Sequence, residues 1–499
     1  MPHPAAAKAH PHSGSFEGAL VFNEDNSHFF GTRSPEEMTE AGLHAFIDQY
    51  AGGAVTHLFL SPNAQRASFR SRSREAIWDP APVMRGGNWE QNAKLLHERG
   101  LDPYAVWIRR AREKHLSPWL SMRMNDIHNV VQPDLSMHTA FWREHPEFWV
   151  VPHATTQRWQ DRALDFQYPE VRQHAMDFLD ELLERYDPDG IELDWMRFGF
   201  HFPPGREHEF TEVLTQFMRE ARSRIKTAAE NRGHPIGLAA RVPVHPDASR
   251  GLGMDAVTWA EEELIDVLIV APFWRTTDFD IPIELWRERL TLVGSAIPIL
   301  PGIEYNSRPF IEGDPVPNDL PALYGWAASA YYRGASGIYL FNWMDSQTIP
   351  IEPEDYRDLV RQGLDPQRLI QAPRRNIVTF RDTVPHGFPD NQVLPADPAG
   401  RNTFTIPIGL PPASGTARLV VGLSIDDAAL QLTAVLNGNG PLPILHPTST
   451  KGLGGGAVGA REVEIPLSHL VPGTNCVVLS GKPIGPQGKI VWVELRLDP

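Results

Sequence analysis

In the stretch "DPDGIELDWMRF", Glu192 and Asp194 stand two residues apart, and a third acid, Glu304, ends a separate apolar run, "ILPGIE". If "GIELDWMRF" is extended, its side chains alternate, so Glu192, Asp194 and Met196 share one face and Ile191, Leu193 and Trp195 the other. Two acids on one buried face repel and lose hydration unless a cation neutralises them or they share a proton. The arrangement is costly in a wall and useful in a site. One carboxyl group that gives a proton and one carboxylate that attacks, or activates water, are the pair that cleaves a glycosidic bond. Asp194 and Glu304 are assigned as that pair, with Glu192 as the acid that replaces either. The retaining convention makes Asp194 the acid/base and Glu304 the nucleophile, although the roles can exchange. Arg123 is the expected cation beside the acidic face. A buried ion-pair layer is the competing reading for Glu192, and a salt bridge to Arg308 for Glu304.

Other polar and aromatic residues recur just after apolar runs: Asn63, Arg66, Arg123, Asn125, Asp126, His128, Arg197, Arg241, Trp274, Tyr305, Asn342, Trp343 and Asp345. They are the candidate substrate-binding set. Sugars present C–H faces that stack on aromatic rings, and Trp274 and Trp343 are the candidate platforms. Trp195 should point outward, by parity, into the core. Arg66, Arg70, Arg72 and Arg74 crowd one segment of an otherwise acidic chain. They either grip an anionic group on the substrate or pair with the protein's own acids. "NEDNSH" and "NDIHN" offer Asp and His to a metal, but no HxH or HExxH accompanies them, so neither a metal nor an organic cofactor is expected.

The elements that must position these residues have a clear rhythm. Eight strand-length runs, "GALVFNED", "VTHLFLSP", "SPWLSMRMND", "GIELDWMRF", "IGLAARVPV", "DVLIVAPFW", "IPILPGIEYN" and "GIYLFNWMD", alternate with segments of helical period. That is the pattern of an α/β chain with parallel strands and crossover helices, and eight strands close a (β/α)8 TIM barrel, whose site lies at the C-terminal strand ends. Ser34, Pro35 and Glu37 read as the capped start of a helix, and Pro169 starts another. A doubly wound sheet would need a Gly-rich fingerprint after the first strand, and none is there. After about residue 375, alternating runs split by Gly, Pro and Asn read as a C-terminal β-sandwich domain. The expected organisation is a disordered tail over 1–15, a catalytic barrel over 16–374 and the sandwich over 375–499. Of the 14 tryptophans only Trp492 falls in the sandwich, which suits packing or homo-oligomerisation better than sugar stacking.

The formal net charge of −16 argues against nucleic acid or an anionic membrane as the main partner. No run is long enough to cross a bilayer. The single cysteine, Cys476, permits no internal disulfide, which suits a cytoplasmic location; a secreted or periplasmic one would need a removed leader.

Two family resemblances bear on these motifs. "DGIELDWM" is similar to the DGxDxDWE strand of chitinase-type family 18 glycoside hydrolases, with Glu192 for the middle Asp and Met196 for the catalytic Glu. The longer segment from Leu164 to Phe198 resembles the family-10-like glycosyl hydrolase group, (β/α)8 proteins related to hydrolase domains that act on bacterial exopolysaccharide. That resemblance implies that Asp194 matches the acidic position ending strand four and Arg197 the arginine that follows. The expected function is therefore hydrolysis of glycosidic bonds in a poly- or oligosaccharide, an anionic one where the arginine segment grips the substrate. A polysaccharide lyase acting on a uronate-containing glycan and a non-catalytic carbohydrate-binding barrel are the alternatives.

Overall fold

The computed structural model describes residues 15–151, 153–345, 351–383, 391–426, 431–442, 446–481 and 488–499. Apart from Ser15, the expected N-terminal tail lies outside the described residues.

All eight anticipated runs form strands: β1 (Ala19–Glu24), β2 (Val55–Leu60), β3 (Ser117–Arg123), β4 (Gly190–Asp194), β5 (Gly237–Pro243), β6 (Val267–Ala271), β7 (Ile299–Ile303) and β8 (Gly337–Phe341). Each pairs in parallel with its sequence neighbours, and β1 pairs with β8, so the sheet closes into a barrel. Alternation decides what goes where. Val21, Phe59, Trp119, Ile269, Leu300, Tyr339 and Phe341 fill the interior, while Ile191, Leu193 and Trp195 join the outer core under the helices. The floor is so tight that a Cβ on Gly190 would sit 2.3 Å from the Trp119 ring.

Helix starts follow their caps, with one difference from the sequence reading. Glu37 does accept the Ser34 N–H at 2.8 Å, but this box opens only a short 3-10 turn, Pro35–Glu37. The α-helix begins at Glu40, where the Thr39 hydroxyl accepts the Gly42 N–H at 3.1 Å. Pro169 opens Pro169–Arg185 as expected.

The C-terminal part comprises β9 (Arg374–Ile377), β10 (Asn402–Pro407), β11 (Thr416–Leu423), β12 (Leu432–Leu436), β13 (Gly459–Ile465), β14 (Thr474–Gly481) and β15 (Ile490–Asp498). A sheet ordered β9-β15-β11-β13, edged by His446–Pro447, and a sheet ordered β10-β14-β12 share one apolar core. β9 docks on the helix Leu320–Tyr332: Asn376 donates to the Gly325 carbonyl at 3.1 Å and to the Pro407 carbonyl at 2.8 Å. A Cβ on Gly325 would lie 2.2 Å from the Arg375 carbonyl oxygen, so glycine sets how closely the sandwich approaches. Trp492 is fully buried. No helix of the described residues is long and apolar enough to cross a membrane.

Candidate active site

Asp194, the last residue of β4, is flanked in register by Arg123 on β3 and Arg241 on β5. The expected partner was Arg123, and the structure corrects this. Arg241 takes Asp194, with Nε 2.8 Å from Oδ1 and Nη2 3.0 Å from Oδ2. The N–H groups of Met196 and Arg197 also donate to Oδ1, at 3.0 and 2.8 Å. Among the described residues Oδ2 has only the one hydrogen bond. Arg123 instead pairs with Asp25, and with Asp126 at 3.1 Å. Burial alone would raise the two aspartates, but Arg123 holds Asp25 well below the usual carboxylate range, and His128 with Arg123 does the same for Asp126.

Glu192 lies one layer deeper. Its carboxyl oxygens accept from the Tyr339 hydroxyl at 3.1 and 2.9 Å, and Arg241 Nε is 3.9 Å away. Burial, then the charge of Asp194, push its carboxyl group well up.

Glu304 follows the last residue of β7 and is 1% exposed. Its backbone is pinned, because Thr277 Oγ1 and Asn318 Nδ2 both donate to its carbonyl at 2.8 Å. Its carboxyl group is loosely held: among the described residues Oε1 is buried without a hydrogen-bond partner, and Oε2 has only Asn342 Nδ2 at 3.4 Å. Burial pushes it up to about 8, against the pull of Arg197 and Arg241. The competing reading of Glu304, a salt bridge to Arg308, is not what forms: Arg308 donates to the Ile311 and Gly313 carbonyls.

His128 links two parts of the mouth. Its Nδ1 is 2.8 Å from Asp126 Oδ1 and its Nε2 is 2.9 Å from Arg197 Nη2. The Arg197 guanidinium lies over the rings of Phe198 and Phe341, at 5.3 and 5.6 Å. Phe198, at φ 69, and Asn342, at φ 60, both hold left-handed backbone, a strain that collects at functional sites. At the β1 end, His28 sits between Glu24 (2.7 Å) and Asp345 (2.9 Å), and Arg33 also pairs with Asp345. These carboxylates hold His28 up at about 9 despite its burial. Among the described residues no group of three or more His, Cys, Asp or Glu is arranged to hold a metal ion.

Several candidates are spent on the scaffold. Asn63 bonds the backbone of Ala64 and Arg123, and Asn125 ties Leu164 to Phe200. Arg66 donates to the carbonyls of His138 and Asp79, Arg70 grips the Asp79 carboxylate, Arg72 pairs with Glu184, and Arg74 donates to the Gln65 carbonyl over the Phe178 ring. The segment is thus tied to the protein's own groups. Trp343 is fully buried in the outer core and presents no ring face to a substrate. Trp274 is 44% exposed, and Tyr305 is half-buried.

One residue escaped the sequence reading. Asp382, on the strap that follows β9, accepts the Trp274 and Arg275 N–H groups at 2.8 and 2.5 Å, and its carbonyl accepts the Phe273 N–H at 3.0 Å. Its carboxyl group is pushed by burial up to about 6, and its charge helps raise Glu304. Nothing in "VTFRDTVP" marks it, because its neighbours at the site come from the loop after β6.

The fold and site define a closed (β/α)8 barrel carrying a C-terminal sandwich and a cluster of carboxyl and guanidinium groups at its C-terminal mouth. No family model and no curated protein sequence matches the chain. Among solved structures it is similar to the PgaB glycoside hydrolase domain of Bordetella bronchiseptica, at 12% identity and TM-score 0.40, over 69% of this chain and 99% of that one. It is also similar to a GH36 alpha-galactosidase of Geobacillus stearothermophilus, at 12% identity and TM-score 0.38, over 94% and 56%. A cycloisomaltooligosaccharide glucanotransferase of Paenibacillus sp. matches at 11% identity and TM-score 0.36, over 96% and 56%. The chain thus spans about half the length of the last two.

Proposed function

We propose that this chain is a glycoside hydrolase acting on a poly- or oligosaccharide, with Glu304 and Asp194 as the catalytic pair. The observation that carries this reading is Glu304: a buried carboxyl group at the mouth, one oxygen without a partner among the described residues, raised to about 8. At neutral pH it keeps its proton and gives it to the leaving glycosidic oxygen as the bond to the anomeric carbon breaks. Asp194 meets that carbon, or the water that attacks it, through Oδ2, with Arg241 fixing the carboxylate's orientation. Burial of Glu304 thus reverses the conventional assignment of the two roles. Glu192 and Tyr339 brace the layer beneath, and Trp274 offers a ring to stack on the sugar. The resemblance of Leu164–Phe198 to the family-10-like group supports the same reading, with Asp194 and Arg197 at its matched positions.

The test is digestion of a panel of neutral and acidic glycans by wild type, Glu304→Gln and Asp194→Asn, reading both reducing ends and ultraviolet absorbance. Hydrolysis gives reducing ends without a new chromophore, and each variant loses several orders of magnitude. Absorbance from a new double bond would make the protein a lyase. Cleavage that survives both substitutions would remove the pair, and binding without cleavage would make it a carbohydrate-binding barrel.

A further inference from the structure

Asp25, one residue beyond β1, has no part in the catalytic pair, yet it is a carboxylate that reaches the open mouth. Alternation sends Glu24 outward to His28 and Asp25 inward, where it meets Arg123 on β3. The cation lies behind and the carboxylate in front: the Arg123 side chain is 4% exposed and that of Asp25 15%. Asp25 Oδ1 is filled by the N–H and the hydroxyl of Ser27, at 2.8 and 2.6 Å. Oδ2 accepts from Arg123 Nη2, and because a carboxylate oxygen offers a second lone pair, it can take a further donor from the mouth.

Arg197 supplies the donors. Its Nη2 approaches His128 Nε2 at 2.9 Å, its Nε is buried without a partner, and it forms no ion pair among the described residues. The carboxyl groups of Asp126, Asp25 and Glu304 all act on its charge, so Arg197 stands among them without joining any. Asp25 and Asp126 together balance Arg123 and Arg197. A carboxylate on a ligand would find no unmatched cation here and would lose its hydration. A hydroxyl group is different, because it donates one hydrogen bond and accepts others, and so it fits between an open carboxylate lone pair and an open N–H. Glu304 opens on the same mouth: it shares the inward parity of Leu300, and among the described residues its Oε1 is buried without a partner.

We infer that Asp25 and Arg197 together hold adjacent hydroxyl groups of an uncharged sugar unit, Asp25 accepting and Arg197 donating, and so make the mouth selective for neutral sugars over uronates. This rests on the reading of the mouth as a sugar site and deepens it by naming the substrate class.

The experiment is calorimetric titration of the full chain with D-glucose, D-galactose, D-mannose, D-glucuronate and D-galacturonate, using wild type, Asp25→Asn, Arg197→Gln and Arg197→Lys. At least one neutral sugar is expected to bind about ten-fold or more tighter than either uronate. Asp25→Asn and Arg197→Gln each weaken it about ten-fold, and Arg197→Lys recovers part of that loss. The monodeoxy forms of the same sugar test the contact on the unaltered protein: one of them is expected to bind wild type about ten-fold more weakly and to lose nothing further in Asp25→Asn. Uronates bound as tightly as neutral sugars, no neutral sugar bound, a neutral-sugar affinity unchanged by Asp25→Asn or by Arg197→Gln, or no such deoxy form overturns the inference. Glu304-dependent cleavage of a glycan, with sugar binding indifferent to Asp25 and Arg197, removes the hydroxyl grip and leaves the hydrolase. Neutral-sugar binding through Asp25 and Arg197 without cleavage of any glycan does the reverse.

Discussion

Arg241 on β5 closes on Asp194 of β4 through two hydrogen bonds, while its guanidinium carbon lies 4.0 Å from the centre of the Phe341 ring. Both side chains are essentially without solvent exposure. The pair is thus the fixed point of the mouth, against which the loosely held Glu304 is set.

Breaking that pair on one side leaves a buried charge unmatched. Asp194→Ala is expected to cost roughly 3–5 kcal/mol of stability, and Arg241→Met to cost a similar amount. Glu304→Gln, which removes no ion pair, is expected to leave stability within about 1 kcal/mol near pH 4.5 and to be the more stable protein at neutral pH, where the wild type must keep a raised carboxyl group protonated. Urea unfolding of the three variants checks this, and an Asp194→Ala protein as stable as Glu304→Gln contradicts it.

Stability should depend on pH with a defined sign. Glu304 is raised from 4.5 to about 8 in the fold, and Glu192 is raised too. Between those values the folded chain holds more protons than the unfolded one, so their contribution is complete below about pH 4.5 and is lost as pH rises through about 8. His28, raised from 6.5 to about 9, adds a loss that continues to higher pH. Asp25 and Asp126 act oppositely, stabilising above 3.8 and losing that contribution as pH falls towards their depressed values. Calorimetric Tm is therefore expected to fall from about pH 5 to about pH 8, and the Glu192→Gln/Glu304→Gln double variant to flatten that fall. A wild-type Tm level across the window would sink the argument.

Asp382 belongs to the strap beyond the barrel, yet its charge raises the proton affinity of Glu304. Asp382→Asn keeps an oxygen for the Trp274 and Arg275 N–H groups and removes the charge. The carbon-13 carboxyl titration of Glu304 is expected to move to lower pH by a few tenths of a unit, and the alkaline limb of kcat/KM to move with it. An unmoved titration would show that the two carboxyl groups do not sense each other.

Gly325 sets the contact between barrel helix and sandwich. Gly325→Val places a Cβ in the space of the Arg375 carbonyl, 2.2 Å away, and must push β9 outward. A loss of roughly 1–3 kcal/mol and faster proteolytic cleavage between the two parts are expected. Unchanged proteolysis would mean that the docking does not depend on this approach.

The parts of the molecule that follow from local pattern were legible in the chain. Alternation and helical period marked all eight barrel strands, put Glu192 and Asp194 on the inner face and turned Trp195 outward, because burial of alternate side chains is a property of each strand alone. They also marked the sandwich runs, whose turn residues lie between them. The choice of partner could not be read this way. Asp194 has an arginine on each flanking strand in the same register, and only the loops after β1 and β3, which deliver Asp25 and Asp126 to Arg123, leave Arg241 to Asp194. The arginine-rich segment could be read as an anion site or as a partner of the protein's own acids, and folding sets the Asp79 and Glu184 carboxylates and three backbone carbonyls against it. Asp382 reaches the mouth from 78 positions beyond Glu304. A hydrogen bond depends on separations of a few tenths of an ångström between groups far apart in the chain, and those separations exist only once the barrel has closed.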